Sequence, residues 1–443
     1  MNVTDDIELQ RERDFLWHPF TQMRTWEQEI PLFIERGEGV RVYDREGRAY
    51  YDANSSLWLT VHGHARTEIN NAIQEQLGKI AHSTMLGLTH SPAGELAERL
   101  INIASKNLDK VFYSDSGSTA VEIAVKMAYQ YWRHNGQRRK TFIALAEGYH
   151  GDTIGSVSVG GVALFHSIFH DLLFRTEFAP SPSRFSSAER ALAPVERILD
   201  EYEDDVAAVI VEPLIQAAGG MLVSPPGFLR GLRELCDQRG VLLIVDEVAT
   251  GFGRTGTMFA SEQEGVSPDL MTVAKGLTGG YLPLAATLVS NAVYEAFLGA
   301  PSENKTFFHG HSYTGNPLAC AAAIASLNIF ENDGVLAGLT PKIELVARRL
   351  ANIGELDVVG SVRQVGLMCG IELVRSRKPL VAYDLGDQIG AKVCQRARTL
   401  GLITRPLGDV VVFMPMLVST LTELDEMLDI IKESICLELN TDG

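Results

Sequence analysis

VLLIVDEVATGFGRTG (residues 241–256), with DLMTVAKGLTGGYLP (269–283) close behind it, decides how this chain folds. Each stretch opens on a short apolar run. A charged residue closes each run, Asp246 in the first and Lys275 in the second, and a glycine-rich turn follows. Short apolar runs bounded by turn signals read as strands buried on both faces. VFY (111–113), TFIAL (141–145), AAVIV (207–211) and LAATLV (284–289) have the same character. Helix-length segments separate several of them. Within 118–135, Val121, Ala124, Val125, Ala128, Tyr129 and Trp132 recur at helical spacing, and Gly136 follows as a stop. Strands alternating with helices predict an α/β fold with a mostly parallel sheet covered on both faces.

The ends of the chain read differently. VRVYDREGRAYYD (40–52) predicts a hairpin turning near Glu46-Gly47. After residue 360, VRQVGLMCGIELV and VVVFMP read as strands, and a last helix opens with Thr420 and Glu423 at capping-box spacing. This pattern divides the chain into 1–60 and 336–443, which together build a smaller α+β domain, and 61–335, the large α/β domain.

At 443 residues the chain can bury a large core, and its formal charge of −17 disfavours nucleic acid or an anionic membrane as a partner. Its five cysteines are scattered and form no C-x-x-C pair, which fits a reducing compartment and excludes a disulfide framework. The start, MNVTDDIELQRERD, is polar and lacks the apolar core of a signal peptide. The expectation is a cytoplasmic protein. His64, His82 and His150 form no metal-ligand pattern and read as structural or lining residues, so no metal is expected.

In a parallel sheet, ligands bind beyond the carboxyl ends of the strands. Gly117 and Ser118, in SDSGSTAVEIA, follow a strand and open a helix, where free N–H groups and the helix dipole favour a phosphate; a plain capped helix start is the structural alternative. Asp246 ends the most apolar strand and needs a partner; a helix cap or an ion pair with Arg254 is the alternative. Lys275 ends the next strand, where burial would hold its amine neutral and nucleophilic; the alternative is a lysine that snorkels outward. Together the three make one site: a phosphate cradle, a carboxylate for a pyridine nitrogen and a Schiff-base lysine. Those are the requirements of pyridoxal 5'-phosphate.

At this point the sequence resembles the class III aminotransferases, of pyridoxal-phosphate fold type I. YSDSGSTAVEIAVKMA, GYHGDT, DEVATGFGRTG, AKGLTGGYLP and HGHSYTGNPLACAAA carry the resemblance, in order, from about residue 15 onward. LWHPFTQM, SSLWLTVHGH, IAHSTMLGLTH and TRPLGD narrow it to the diaminopelargonate synthases of biotin synthesis, which aminate 7-keto-8-aminopelargonate (8-amino-7-oxononanoate), and within them to the type that uses lysine as donor. The resemblance implies that Gly117 and Ser118 bind the phosphate, Tyr149 stacks on the pyridine ring or sits against it beside the substrate as a catalytic and substrate-binding residue, Asp246 pairs with the ring nitrogen and Lys275 carries the aldehyde carbon. It further implies a homodimer in which His311 and Ser312 reach the neighbouring subunit's phosphate. Gly310 would line the substrate channel beside an apolar wall including Phe20, Leu57 and Trp58. Arg405 would receive the acceptor's carboxylate, with pairing to Asp409 as its structural alternative, and Glu212 and Arg254 would support the site from behind.

Members that use S-adenosylmethionine carry tyrosine where this chain has Phe20 and a tryptophan pair where it has Leu57-Trp58. The lost hydroxyl and indole favour the slimmer lysine here. The competing readings are the same reaction with S-adenosylmethionine, a broad ω-amine or ω-amino-acid:pyruvate aminotransferase, an aminomutase, and a silent cofactor-binding protein. The last lacks support because Lys275, Asp246 and the phosphate loop are all present.

Overall fold

The computed structural model describes residues 6–441; the first five residues of the polar start lie outside them. Its centre is a seven-stranded sheet of β1 (Leu108–Ser114), β2 (Thr141–Leu145), β3 (Thr176–Ala179), β4 (Val206–Val211), β5 (Leu242–Asp246), β6 (Leu270–Val273) and β7 (Ala285–Ser290), in the spatial order β1–β7–β6–β5–β4–β2–β3. β7 runs antiparallel to both neighbours, and every other pairing is parallel. The expected strands all form. β3, TEFA at the sheet edge, has too little apolar character to be marked by the sequence.

Side-chain alternation explains why these runs are continuously apolar. Leu242 and Ile244 of β5 pack with Val121, Ala124, Val125, Ala128 and Trp132 of the helix Gly117–His134. Leu243 and Val245 point to the other face, against Val195 and Leu199 of the helix Ala188–Tyr202 and Leu232 and Leu235 of the helix Phe228–Arg239. Truncating such a side chain, as in Ile244→Ala, should cost about 2–5 kcal/mol. Tyr129 departs from the expected stripe: it lies at the edge of the apolar face and is exposed.

The chain ends meet in two smaller sheets. The hairpin Arg41–Asp44 with Ala49–Asp52 forms as expected, with Gly47 at φ 81° in its turn, and Ile34–Glu38 adds an outer strand. Leu402–Ile403, from the far end of the chain, pairs in parallel with Ala49–Asp52. Val359–Val365, Met368–Leu373, Val410–Phe413 and Pro406–Leu407 form the second sheet. The last helix, Leu421–Leu439, carries the expected capping box: Glu423 N–H donates to Thr420 Oγ1, and Thr420 N–H to a Glu423 carboxylate oxygen at 2.8 Å. No helix among the described residues is long and apolar enough to cross a membrane.

Candidate active site

Five strand ends converge on one cavity of about 740 Å³. It is lined by Gly117 and Ser118 after β1, Tyr149 and His150 after β2, Glu212 after β4, Asp246 at the end of β5 and Lys275 after β6, with Trp58 entering from the small sheet. This is where a parallel sheet presents its ligands.

The helix Gly117–His134 is capped by Ser116, whose hydroxyl accepts from Thr119 N–H. That leaves the Gly117 and Ser118 N–H groups as unused first-turn donors. Close approach explains the glycines here. A Cβ on Gly117 would lie 2.5 Å from Val248 Cγ1, and one on Gly151 would lie 2.4 Å from Ser118 Cβ. The Ser118 hydroxyl is 2.9 Å from Thr153 Oγ1 and accepts from Thr153 N–H at 3.0 Å, which fixes the loop after β2 against the helix start.

Asp246 is buried, and its partner is His150: Nδ1 lies 2.7 Å from Oδ2. Val248 N–H and Thr272 Oγ1 donate to Oδ1 at 3.1 and 3.0 Å. The alternative partner, Arg254, is elsewhere. Its fully buried guanidinium donates to the Pro415 and Thr60 carbonyls at 2.6 and 2.9 Å, tying the two chain ends together, and burial lowers its pKa to about 9. The two carbonyls take its terminal nitrogens, while Nε is buried without a hydrogen-bond partner among the described residues. In the sequence His150 reads only as a lining or structural residue; the signal that points to it is the missing partner of a buried aspartate.

Lys275 stands at φ 46°, a left-handed conformation rare for a residue with a side chain. Part of the residue borders the open cavity, yet its amine sits deep. Burial is the main force lowering its pKa, opposed by the Asp246 and Glu212 carboxylates. The amine has no hydrogen bond or ion pair among the described residues; it lies over the Trp58 ring, with the centroid 5.1 Å from Nζ. Glu212 is buried and accepts Tyr149 N–H and Ala217 N–H, each at 2.9 Å. Burial pushes its carboxyl up to about 7. The Tyr149 hydroxyl donates to Asp152 at 2.7 Å, and burial raises its pKa well above the usual range.

Other expected site residues stand outside this cavity in the single chain. Phe20 is 58% exposed and packs edge-on against Phe165, and Leu57 is 43% exposed. Gly310 and Ser312 are exposed. His311 Nδ1 lies 2.8 Å from Asp115 Oδ2, off the line of a hydrogen bond. Arg405 is half-buried, and its guanidinium has no ion pair among the described residues, with Asp409 or any other carboxylate.

A family model described as Aminotransferase class-III matches residues 22–435. The chain belongs to the class III aminotransferases and is a pyridoxal-phosphate-dependent transaminase of fold type I. Among its relatives is the adenosylmethionine-8-amino-7-oxononanoate aminotransferase of Anoxybacillus flavithermus, 52% identical over 96% of both chains. The crystal structure of the enzyme of that name from Methanocaldococcus jannaschii superposes with a TM-score of 0.95 at 42% identity, covering 98% of this chain and 99% of that one. A Pseudomonas jessenii omega transaminase in complex with PMP is 32% identical with a TM-score of 0.90, over 97% of both chains. The site fits pyridoxal phosphate on its own terms: unused helix-start donors, a buried carboxylate and an unpaired buried amine border one cavity.

Proposed function

We propose that this chain transfers an amino group to 8-amino-7-oxononanoate, giving the 7,8-diamino product in biotin synthesis, with L-lysine as donor. The observation that carries the acceptor is identity at 52% over nearly the whole chain to a relative named for that substrate. The apolar wall at Trp58 and the unpaired Arg405 suit an acceptor with a methylene chain and a distal carboxylate.

Bound pyridoxal phosphate supplies a carbonyl that captures the donor amine and a ring that accepts electrons. In this reading the Gly117 and Ser118 N–H groups bind its phosphate, Tyr149 covers the ring, and Asp246, held by His150, faces the pyridine nitrogen. Lys275 Nζ, whose burial favours the neutral form, takes the Cα proton of the donor and returns a proton to the acceptor in the reverse sense. Glu212 holds the loop carrying Tyr149, and Arg254 ties the chain ends behind the site.

The working unit is a homodimer in the cytoplasm, with 61–335 as the large domain and 1–60 with 336–443 as the small one. Trp17, Leu86 and Phe308 are 87%, 89% and 76% exposed, large apolar side chains that a second copy could cover. His311 and Ser312 of that copy would complete the phosphate site, while Phe20, Leu57 and Gly310 would line the substrate channel.

Adenosylmethionine is the second donor reading, favoured by the names of the relatives. The test mixes the yellow holoenzyme with each donor at equal concentration and follows loss of its visible absorption in a single turnover. Faster bleaching by lysine supports the proposal, and faster bleaching by S-adenosylmethionine replaces lysine with it. Product formation from 8-amino-7-oxononanoate tests the acceptor.

A further inference from the structure

The segment from Asn54 to Trp58 is the most strained part of the site. Ser55, Ser56 and Trp58 all have positive φ, at 49°, 60° and 66°. Ser56 combines φ 60° with ψ −90°, close to the rare γ-turn, and Leu57 follows at φ −133°, ψ 67°. No glycine relieves the turn. Such backbone persists only where its surroundings over-determine it.

The surroundings do so from several sides. Asp52 is buried and accepts Ser56 N–H at 2.7 Å and Asn54 N–H at 3.3 Å, while its Oδ2 meets His64 Nε2 at 3.0 Å. Asn54 Nδ2 donates to the Ser56 carbonyl at 2.7 Å, and Ser55 Oγ to the Met414 carbonyl at 2.7 Å. The result is a single placement of Trp58. Its indole N–H donates to Asn54 Oδ1 at 3.1 Å, inside the protein, and its ring face stands 5.1 Å from Lys275 Nζ.

We infer that Asn54 is a positioning residue for the transamination: it fixes the Trp58 indole, through the strained turn, as the wall facing Lys275 Nζ. This rests on the reading of Lys275 as the cofactor lysine. One side-chain amide serves both ends of the arrangement, its oxygen on the indole and its nitrogen on the Ser56 carbonyl. An indole fixed in this way gives the lysine amine a π face when it carries a proton and removes a direction from which water could reach it. An indole free to rotate does neither. Both half-reactions use the same amine, so both depend on the lock.

The test uses Asn54→Ala, Asn54→Asp and Trp58→Phe, with Asn54→Ala repeated in the Trp58→Phe protein. Asn54→Asp keeps an oxygen acceptor for the indole. Single-turnover rates of the donor and acceptor half-reactions should each fall about five- to tenfold in Asn54→Ala, the worth of one buried hydrogen bond, and should recover at least in part in Asn54→Asp. The double variant should lose less than the two single losses combined, because Trp58→Phe has already removed the indole N–H bond and Asn54→Ala then removes only the bond to the Ser56 carbonyl. A second readout needs no cofactor. With Trp17 and Trp26 replaced by phenylalanine, Trp58 and the buried Trp132 are the remaining indoles, and acrylamide quenching of the cofactor-free protein should rise severalfold on Asn54→Ala. Additive losses in the double variant, or quenching unchanged in Asn54→Ala, would overturn the assignment. If Lys275 proved not to carry the cofactor, the quenching result would still stand and the rate result would not, so the two failures are distinguishable.

Discussion

The sheet-end cluster and the rim of the same cavity are built by opposite rules. Asp246, Glu212, His150 and Lys275 stand on strand ends, are held by backbone and side-chain bonds of 2.7–3.1 Å or by burial, and meet within one chain. Phe20, Leu57, Gly310, Ser312 and Arg405 sit on loops and edges, open to solvent or without partners. The cluster is rigid because each group follows a strand in a register that cannot slip without turning its side chains to the other face. The rim has no such constraint. The proposed function would put the chemistry common to the family on the first and the choice of substrate on the second, and a second copy of the chain would give the rim the contacts it lacks.

Removing a cluster residue should therefore disable every substrate alike. Lys275→Ala should lower kcat/KM by about 10⁴-fold with any donor, the upper end of what a positioned acid–base group contributes, while dialysis still finds cofactor held by the phosphate cradle. Activity within tenfold of the parent would break the comparison at its strongest point. Asp246→Asn keeps the size of the side chain but removes the carboxylate that, in the proposed site, would face the pyridine nitrogen. Its turnover should fall about 10²–10³-fold with donor and acceptor alike; a loss confined to one substrate would move Asp246 to the rim.

Glu212 sharpens the comparison through pH. Burial favours its neutral form, so the folded chain holds this proton more tightly than the unfolded chain does. Stability from this group is present below about pH 4.5 and is lost as pH rises toward about 7, by about 3 kcal/mol in all. Glu212→Gln cannot titrate. Its loss of one backbone acceptor is a constant, so its stability relative to the parent should improve between about pH 5 and pH 7.5. Urea denaturation of the cofactor-free proteins measures this, and a parallel pH dependence in both would show that Glu212 does not titrate in that range.

Rim substitutions should discriminate instead. Arg405→Ala should raise KM for the acceptor about 10- to 100-fold, equivalent to about 1.5–3 kcal/mol for a charge-assisted bond, and leave the donor half-reaction nearly intact. Equal losses in both halves would give Arg405 a structural role. The smallest effect is expected from Phe20→Tyr with Leu57→Trp, which should shift the ratio of donor rates toward S-adenosylmethionine by about two- to tenfold, the worth of one aromatic contact. No shift would mean that neither residue sets donor choice.

The same contrast explains what the sequence could say. β4, β5 and β6 are legible because both faces are buried and the runs are continuously apolar. Asp246 and Lys275 are legible because a charge closing a fully buried strand needs a partner, and the two close neighbouring strands of one sheet. Ile34–Glu38 is not, since its side chains are mostly exposed and do not alternate. The partnership of His150 with Asp246 is also hidden: the residue after β2 reaches across the end of β4, and no local pattern records that. The turn at Asn54–Trp58 left no mark because serine and tryptophan at positive φ obey tertiary contacts against their own preference. Arg254 misled for a related reason: the groups its terminal nitrogens bond, the Pro415 and Thr60 carbonyls, are distant in sequence.

The central claim is that Lys275 carries the cofactor. Borohydride reduction of the yellow protein, followed by peptide mass spectrometry, tests it most directly. The account predicts pyridoxyl phosphate on Lys275 and on no other lysine. Its appearance on a different residue, or a reduced protein with no covalent label, would contradict the account.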